Sequence, residues 1–397
     1  MSGHLPDIDG FEAAVVCLGT HPGIIQSMLD YSYAVGKPAP DVIAIIAGNR
    51  KQERYFWGET EIIVPVYADL ADLPDEQKRR INCLLNVRSA RRVLESMRQA
   101  FKELPALKVA SIFAEETPET HSLEISRLAA EKDVLVTGPA SVGLLIPGLF
   151  KLGAIGGTQY SQLVAARIFE PGENAVISTS GGMVNELIHV VTGRGQGVSF
   201  AMALGGDRYP ITTPAEAFLI AEADTRTRRI VYFGELGGED EYEIAKLLQS
   251  GRITKPVLAY IAGTVAELFA ESPQFGHAKA MASKKSETAK AKKDALRKAG
   301  AEVVDVFGEL PSKLGGATGA GPQPHKQIGR RHKHAIVSRL SGDVDDDIHI
   351  LGKGLLEIVE GNSLAGLTIS MLLGQEVTSP KLIDCTDFVL RLLADHG

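Results

Sequence analysis

His277 lies at the centre of Gln274-Phe275-Gly276-His277-Ala278-Lys279-Ala280. An imidazole can take a phosphoryl group on one ring nitrogen and hand it on, provided a neighbour fixes the tautomer through the other nitrogen. Alone, a Gly-His pair is an ordinary surface or core histidine as readily as a catalytic one. Two upstream stretches give it company. The apolar run 175–178 reads as a buried strand, Ser180-Gly181-Gly182 as a turn, and the spacing over 183–191 as a helix. Small residues at a helix start let backbone N–H groups approach an oxyanion, where the helix dipole is positive. A second unit repeats the pattern, with 230–233 as strand, Gly234-Glu235-Leu236-Gly237-Gly238 as turn and 239–248 as helix. Here a carboxylate, Glu235, leads the turn from a strand end, a place from which it can orient an imidazole.

The elements that must position these groups read as α/β throughout. Residues 13–18 form a strand, Gly19-Thr20-His21-Pro22-Gly23 a tight turn, 24–35 a helix and 41–47 the next strand, the alternation of a parallel sheet. A glycine-bounded turn between a first strand and helix is where a Rossmann-like domain takes a phosphorylated ligand. It is equally a turn that needs glycine for its backbone angles. The G-x-G-x-x-G spacing of a dinucleotide site is absent, which argues against a dehydrogenase. A second α/β domain is expected over 158–310, after a first over 1–157, and holds both later turns and His277. Its strand 257–262 leads through Gly263-Thr264 towards the histidine loop.

A helix resuming near Ser286 is basic, with Lys284, Lys285, Lys290, Lys292, Lys293, Arg297 and Lys298 relieved by Glu287 and Asp294. Its charge spacing reads as a solvated face, the sharper alternative being cations that meet phosphates or an acidic partner. Residues 311–334 turn rich in Gly, Pro, Lys and His and read as a linker. His325, His332 and His334 cluster there without Cys or ordered spacing, so linker histidines are expected rather than a metal site. The tail, 335–397, reads as a short strand at 336–338 and helices over 364–373 and 388–393. So short a segment seldom builds a stable core alone, so further chain or a partner is expected.

Composition narrows the class. A chain of 397 residues is long enough for two or three domains, and 44% hydrophobic with 23% charged residues is ordinary for a globular protein. A formal net charge of −7 disfavours nucleic-acid binding. Cys17, Cys83 and Cys385 show neither disulfide nor zinc spacing, which fits a reducing compartment. The start lacks a signal-peptide pattern, and the longest uncharged run, 134–150, is broken by Pro139 and Pro147 and falls short of the roughly 20 apolar residues of a membrane helix. A buried strand and loop are expected there, in a cytoplasmic protein that meets no membrane.

Six blocks now carry a resemblance: STSGGMVNEL (178–187), GGDRYP (205–210), GELGG (234–238), GRITKP (251–256), QFGHA (274–278) and SETAKAKKDAL (286–296). In this order they resemble the α-type, phosphohistidine-bearing part of the nucleotide-dependent acyl-CoA ligases, and within these most closely the ATP-citrate lyase family. The likeness extends into the N-terminal domain and, more weakly, the tail. It implies a Rossmann-like CoA-binding domain, a flavodoxin-like ligase domain and the incomplete start of a mostly helical citrate-synthase-like module, whose citryl-CoA-cleaving residues are not in this chain.

The resemblance also implies an activity and partners: citryl-CoA formed from citrate, coenzyme A and ATP through phosphohistidine, in a hetero-oligomer with an ATP-grasp β-type subunit that binds ATP and Mg²⁺. His277 and Glu235 would be catalytic, with magnesium ligation a second role for Glu235. Ser180, Gly181 and Gly182 would hold the phosphate, and Gly19, Thr20, Gly23 and Pro139 coenzyme A. Arg208 would meet the additional carboxylate of citrate, or else form a structural salt bridge with Asp207 or a neighbour. A succinyl-CoA synthetase-like ligase and a non-catalytic assembly subunit are the alternatives. Three departures stand out. Lys279 replaces the usual Gly and either adds a counter-charge or obstructs the loop, Thr179 replaces an Arg for which Lys279 is expected to compensate, and Glu116-Thr117-Pro118 replaces Gly-Ile-Pro. A carboxylate beside an anionic ligand is unfavourable, so Glu116 is expected to point away.

Overall fold

Runs such as Val15–Leu18 (VVCL), Cys83–Asn86 and Val109–Ile112 are buried along their whole length, as strands covered on both faces must be. The computed structural model describes residues 4–6, 10–48, 51–269, 273–316, 321–331, 341–344 and 347–395. The strands from the N-terminal half form a seven-stranded sheet in the order Gln52–Trp57, Thr60–Tyr67, Val42–Ile46, Val15–Leu18, Cys83–Asn86, Val109–Ile112, Leu135–Thr137. All neighbours are parallel except the first pair, a hairpin at the edge.

A second seven-stranded sheet runs Glu302–Val304, Val257–Ala262, Arg229–Glu235, Asn174–Ser178, Val198–Ala203, Gly143–Ile146, Phe150–Gly153. Its first five strands are parallel and its last two form an antiparallel edge. That edge hairpin, which comes from within the first 157 residues, therefore pairs with the later sheet. The α/β expectation is borne out, as are the strand–turn–helix units around Gly19, Gly181 and Glu235: helices run Pro22–Ala34, Gly181–Gly193 and Asp240–Gln249.

Both sheets belong to one compact unit that extends to Arg331. Its final stretch, 321–331, is held against the N-terminal sheet's first helix and edge hairpin. His325 N donates to Ala34 O at 2.7 Å, Gly329 N to Glu59 Oε1 at 3.0 Å, and the Arg331 guanidinium pairs with buried Asp30 while lying over the Phe56 ring. The second unit, from His332, contains a three-stranded antiparallel sheet and the helices Leu355–Gly361, Leu364–Leu373 and Pro380–Asp395, the helical tail expected. His332, His334 and the strand expected over 336–338 lie outside the described residues. No helix among the described residues is long and apolar enough to cross a membrane.

Candidate active site at the carboxyl edge of the second sheet

Three adjacent parallel strands end side by side, and their following turns make the site. Ser178 pairs with Phe233 on one side and Ala203 on the other, so Thr179–Gly182, Gly205–Asp207 and Glu235–Gly238 emerge at the same edge, where open α/β sheets take ligands. His277 reaches both flanking turns. Its Nδ1 lies 2.9 Å and 3.1 Å from the two oxygens of Glu235, and its ring lies so close to Gly206 that a Cβ there would stand 2.5 Å from Cγ and Cδ2. The ring therefore spans the end of the middle strand, where Thr179 to Gly182 turn into their helix.

Glu235 is 8% exposed and, as a carboxylate, can only accept, so the proton between the pair belongs on Nδ1. The Glu235 hydrogen bond holds the His277 pKa above its ordinary 6.5; burial opposes this, and the charges of Glu235, Glu115 and Asp207 add to it. Nε2, the second edge of the ring, has no hydrogen-bond partner among the described residues. The loop is closed by Phe275 N donating to Ala280 O at 2.9 Å and Ala280 N to His277 O at 3.0 Å, around Gly276 at φ +61°.

Ser180, Gly181 and Gly182 open the helix Gly181–Gly193 as expected, and no side chain caps it. The Ser180 N–H donates to Ser178 Oγ at 3.0 Å, which tightens the turn. Thr179 Oγ1 is buried with no hydrogen-bond partner among the described residues, an orphaned donor beside the helix start that an anion would satisfy. Lys279 does not turn its ammonium to this turn in compensation for Thr179: it forms an ion pair with the partly exposed Asp240. It does not obstruct the loop either, since its stem packs over Gly238 and its carbonyl over Gly237, both places where a Cβ would collide.

The basic helix departs from the solvated face expected. In Ala289–Lys298, Lys292 and Lys293 are buried, and Lys292 Nζ donates to the carbonyls of Glu235 at 2.8 Å and Gly237 at 2.6 Å. A charge pattern along one helix does not reveal carbonyls that arrive from another turn. Arg208 likewise takes neither Asp207 nor a buried partner. It meets Glu119 at 3.4 Å, both side chains being more than half exposed, while Asp207 accepts from the backbone N–H groups of Glu116 and Thr117. Arg208, Tyr209, Lys279 and Asp240 line one cavity of about 400 Å³. Both oxygens of Glu235 face His277, and no group of three or more potential metal-ligand side chains gathers among the described residues.

Around the N-terminal turn, Gly19 takes φ +90°, and the helix Pro22–Ala34 is capped by His21, whose Nδ1 accepts from Ile24 N. Thr20 Oγ1 donates to Glu53 Oε1 at 3.2 Å. Pro139 packs its carbonyl against Gly205, and Gly138 N donates to Leu204 O at 3.0 Å, which joins the end of the first sheet to the turn beneath His277. Gly23 borders open space. Glu116 adopts φ +57°, a backbone conformation that favours glycine, with an exposed side chain.

Sequence reasoning missed Arg88. It follows the strand Cys83–Asn86, contacts the Gly19 turn, and with Arg91, Arg92, Arg98 and Lys102 and the carboxylates of Asp69, Glu95 and Glu103 lines a cavity of about 580 Å³. The signal was available in Arg88-Ser89-Ala90-Arg91-Arg92, a burst of cations at a strand end.

Residues 177–302, which include the three turns of the site and His277, match the CoA-ligase family. Beyond it, 96% of the chain is 33% identical to a probable ATP-citrate synthase subunit 1 of Schizosaccharomyces pombe, and 97% is 31% identical to a probable ATP-citrate synthase of Caenorhabditis elegans. The chain spans 65% and 37% of those two proteins. Among solved structures, ATP citrate lyase from Methanothrix soehngenii with citrate and coenzyme A matches with a TM-score of 0.74 at 28% identity, over 99% of this chain and 66% of that one. A mutant Methanosaeta concilii ATP citrate lyase with (3S)-citryl-CoA also gives 0.74, at 29% identity and the same coverage. The resemblance of this chain to the α-type part of ATP-citrate lyase is thus borne out.

Proposed function

We propose that this chain is the phosphohistidine-bearing, α-type part of an ATP-dependent citryl-CoA synthetase of the ATP-citrate lyase kind. One observation carries the proposal: Glu235 holds Nδ1 of His277 while Gly206 seats the ring, so that Nε2 is the available nucleophile. His277 Nε2 attacks the γ-phosphorus of ATP, the bond to the bridging oxygen breaks, and ADP leaves. Glu235 stabilises the positive charge that builds on the ring, and the N–H groups of Gly181 and Gly182, with the Ser180 hydroxyl, face the phosphoryl oxygens. A citrate carboxylate then takes the phosphoryl group and frees Nε2. The coenzyme A thiolate attacks the resulting acyl phosphate, expelling phosphate and leaving citryl-CoA. Splitting the acylation through a covalent intermediate replaces one difficult step by easier ones.

Arg208 supplies a cation for a citrate carboxylate. Gly19, Thr20 and Gly23, joined by Arg88, form the coenzyme A phosphate site, with Pro139 at its inner end. ATP and magnesium belong to an ATP-grasp partner, in a cytoplasmic hetero-oligomer. Support comes from the citrate, coenzyme A and citryl-CoA named with the two ATP citrate lyase structures and from the ATP-citrate synthase relatives. The test is incubation of the protein and an ATP-grasp partner with [γ-³²P]ATP. An acid-labile, base-stable label that His277→Ala abolishes and citrate plus coenzyme A discharge is expected. A folded protein that takes no label, or that discharges to succinate in preference to citrate, overturns the assignment.

A further inference from the structure

Asp240 and Glu241, the first two residues of the helix Asp240–Gln249, each take a lysine from a different element. Lys279 comes from the His277 loop and pairs with Asp240. Lys292 comes from the helix Ala289–Lys298 and lies 2.6 Å from Glu241 Oε2. Both lysines are buried, Lys292 completely. Lys292 Nζ also donates to the carbonyls of Glu235 and Gly237. Glu241 is held in turn by the Tyr232 hydroxyl, which donates at 3.1 Å, and passes so close beneath Gly234 that a Cβ there would stand 2.5 Å from its Oε1.

Buried ion pairs are a weak source of stability. Taking two ammonium groups out of water costs roughly what their ion pairs return, and apolar residues of similar volume would stabilise the same space as well or better. Burial, with the charge of Lys292 adding and that of Glu235 opposing, pushes the Lys279 pKa down to about 8. What the charged pairs supply is direction. One ties the loop that carries His277, the other the turn that carries Glu235, and both end on neighbouring residues of a single helix start.

We propose that Lys279 and Lys292 are positioning residues which, through Asp240 and Glu241, set the contact between His277 and Glu235. The kinetic consequence rests on His277 being the phosphoryl carrier, whereas the geometric one does not.

The test compares Lys279→Met, Lys279→Arg and the double variant Lys292→Met/Glu241→Met, in which no charge is left buried and unpaired. Three readings are taken: thermal unfolding, the ¹⁵N-detected titration midpoint of His277, and the rate of labelling by the ATP-grasp partner. Folded Lys279→Met and double variants are expected to show a His277 midpoint moved down towards 6.5 and labelling slowed by about 10- to 100-fold, with Lys279→Arg restoring most of both. Folded variants with an unchanged midpoint and an unchanged rate overturn the proposal. A wild-type protein that is never labelled, with variants whose midpoint still falls, rejects the phosphoryl carrier and leaves the positioning pair standing.

Discussion

Gly206 lies beneath the ring of His277, and an added Cβ would stand 2.5 Å from both Cγ and Cδ2. The backbone at Gly206 is not left-handed, so the demand for glycine comes from the ring and not from the chain. Gly206→Ala should accordingly fold with a melting temperature close to wild type while displacing the imidazole from Glu235. A displacement of about 1 Å at a reacting group costs on the order of 100-fold in rate. The check is the rate of phosphohistidine formation alongside a melting curve; a fast, fully folded Gly206→Ala protein would show that the ring does not need this seat.

The Glu235 hydrogen bond raises the His277 pKa, so its removal has a defined sign. In Glu235→Gln the midpoint should fall, because the amide oxygen still accepts from Nδ1 but no longer carries charge. Only the imidazole without a proton on Nε2 attacks phosphorus, so wild-type labelling should increase as pH rises through the raised midpoint and level off above it. The linked stability behaves oppositely. A group whose folded pKa lies above the unfolded value stabilises fully below the unfolded midpoint and loses that contribution as pH climbs through the folded one. Labelling in the variant should lose about 10- to 100-fold at its plateau, and a pH–rate profile of both proteins measures the two effects together.

Arg208 faces a cavity and holds only a loose, exposed contact with Glu119, which is worth little to stability. Arg208→Met should therefore leave unfolding unchanged within about 0.5 kcal/mol. If the guanidinium meets a carboxylate that citrate has and succinate lacks, the variant should raise the citrate concentration needed for discharge of the label about 10-fold or more and leave succinate unaffected. Equal losses for both acids would place Arg208 outside the discriminating contacts.

What the sequence disclosed follows from how each feature is encoded. The units around Ser180 and Glu235 were legible because strand, glycine turn and helix are contiguous, and the Glu235–His277 pair followed once a carboxylate stood at a strand end. Contacts between distant turns left no such trace. Nothing in the run of lysines from Lys284 to Lys298 distinguishes Lys292, which is fully buried, from its exposed neighbour Lys290. Only the fold brings the Glu235 and Gly237 carbonyls to it. Arg208 is adjacent in sequence to Asp207, yet the aspartate is drawn away by the N–H groups of Glu116 and Thr117 from the other sheet's connections. The strap over 321–331 looked like a linker because its own residues are polar and flexible, while its anchor, Asp30, lies some three hundred positions earlier.

Lys151 provides a last test, remote from the chemistry. It lies on the edge strand Phe150–Gly153, is fully buried, and donates to Ser27 Oγ at 2.7 Å and Gly153 O at 2.6 Å. Ser27 belongs to the helix behind the Gly19 turn, so this one side chain bridges the first helix and the second sheet. Burial pushes its pKa from 10.5 down to about 7, with Asp30 opposing. Between about 7 and 10.5 the unfolded chain binds the proton and the folded one does not, so folding stability should rise with pH across that window and the burial penalty is greatest below it. Lys151→Met fills a similar volume without the ionisable group. Urea unfolding at pH 7 and pH 9 should show a rise in wild-type stability that the variant lacks, with the variant the more stable of the two at pH 7 by about 1 kcal/mol or more. A variant that is less stable at both pH values, with the wild-type slope retained, would mean that the hydrogen bonds to Ser27 and Gly153 outweigh the cost of burying the amine.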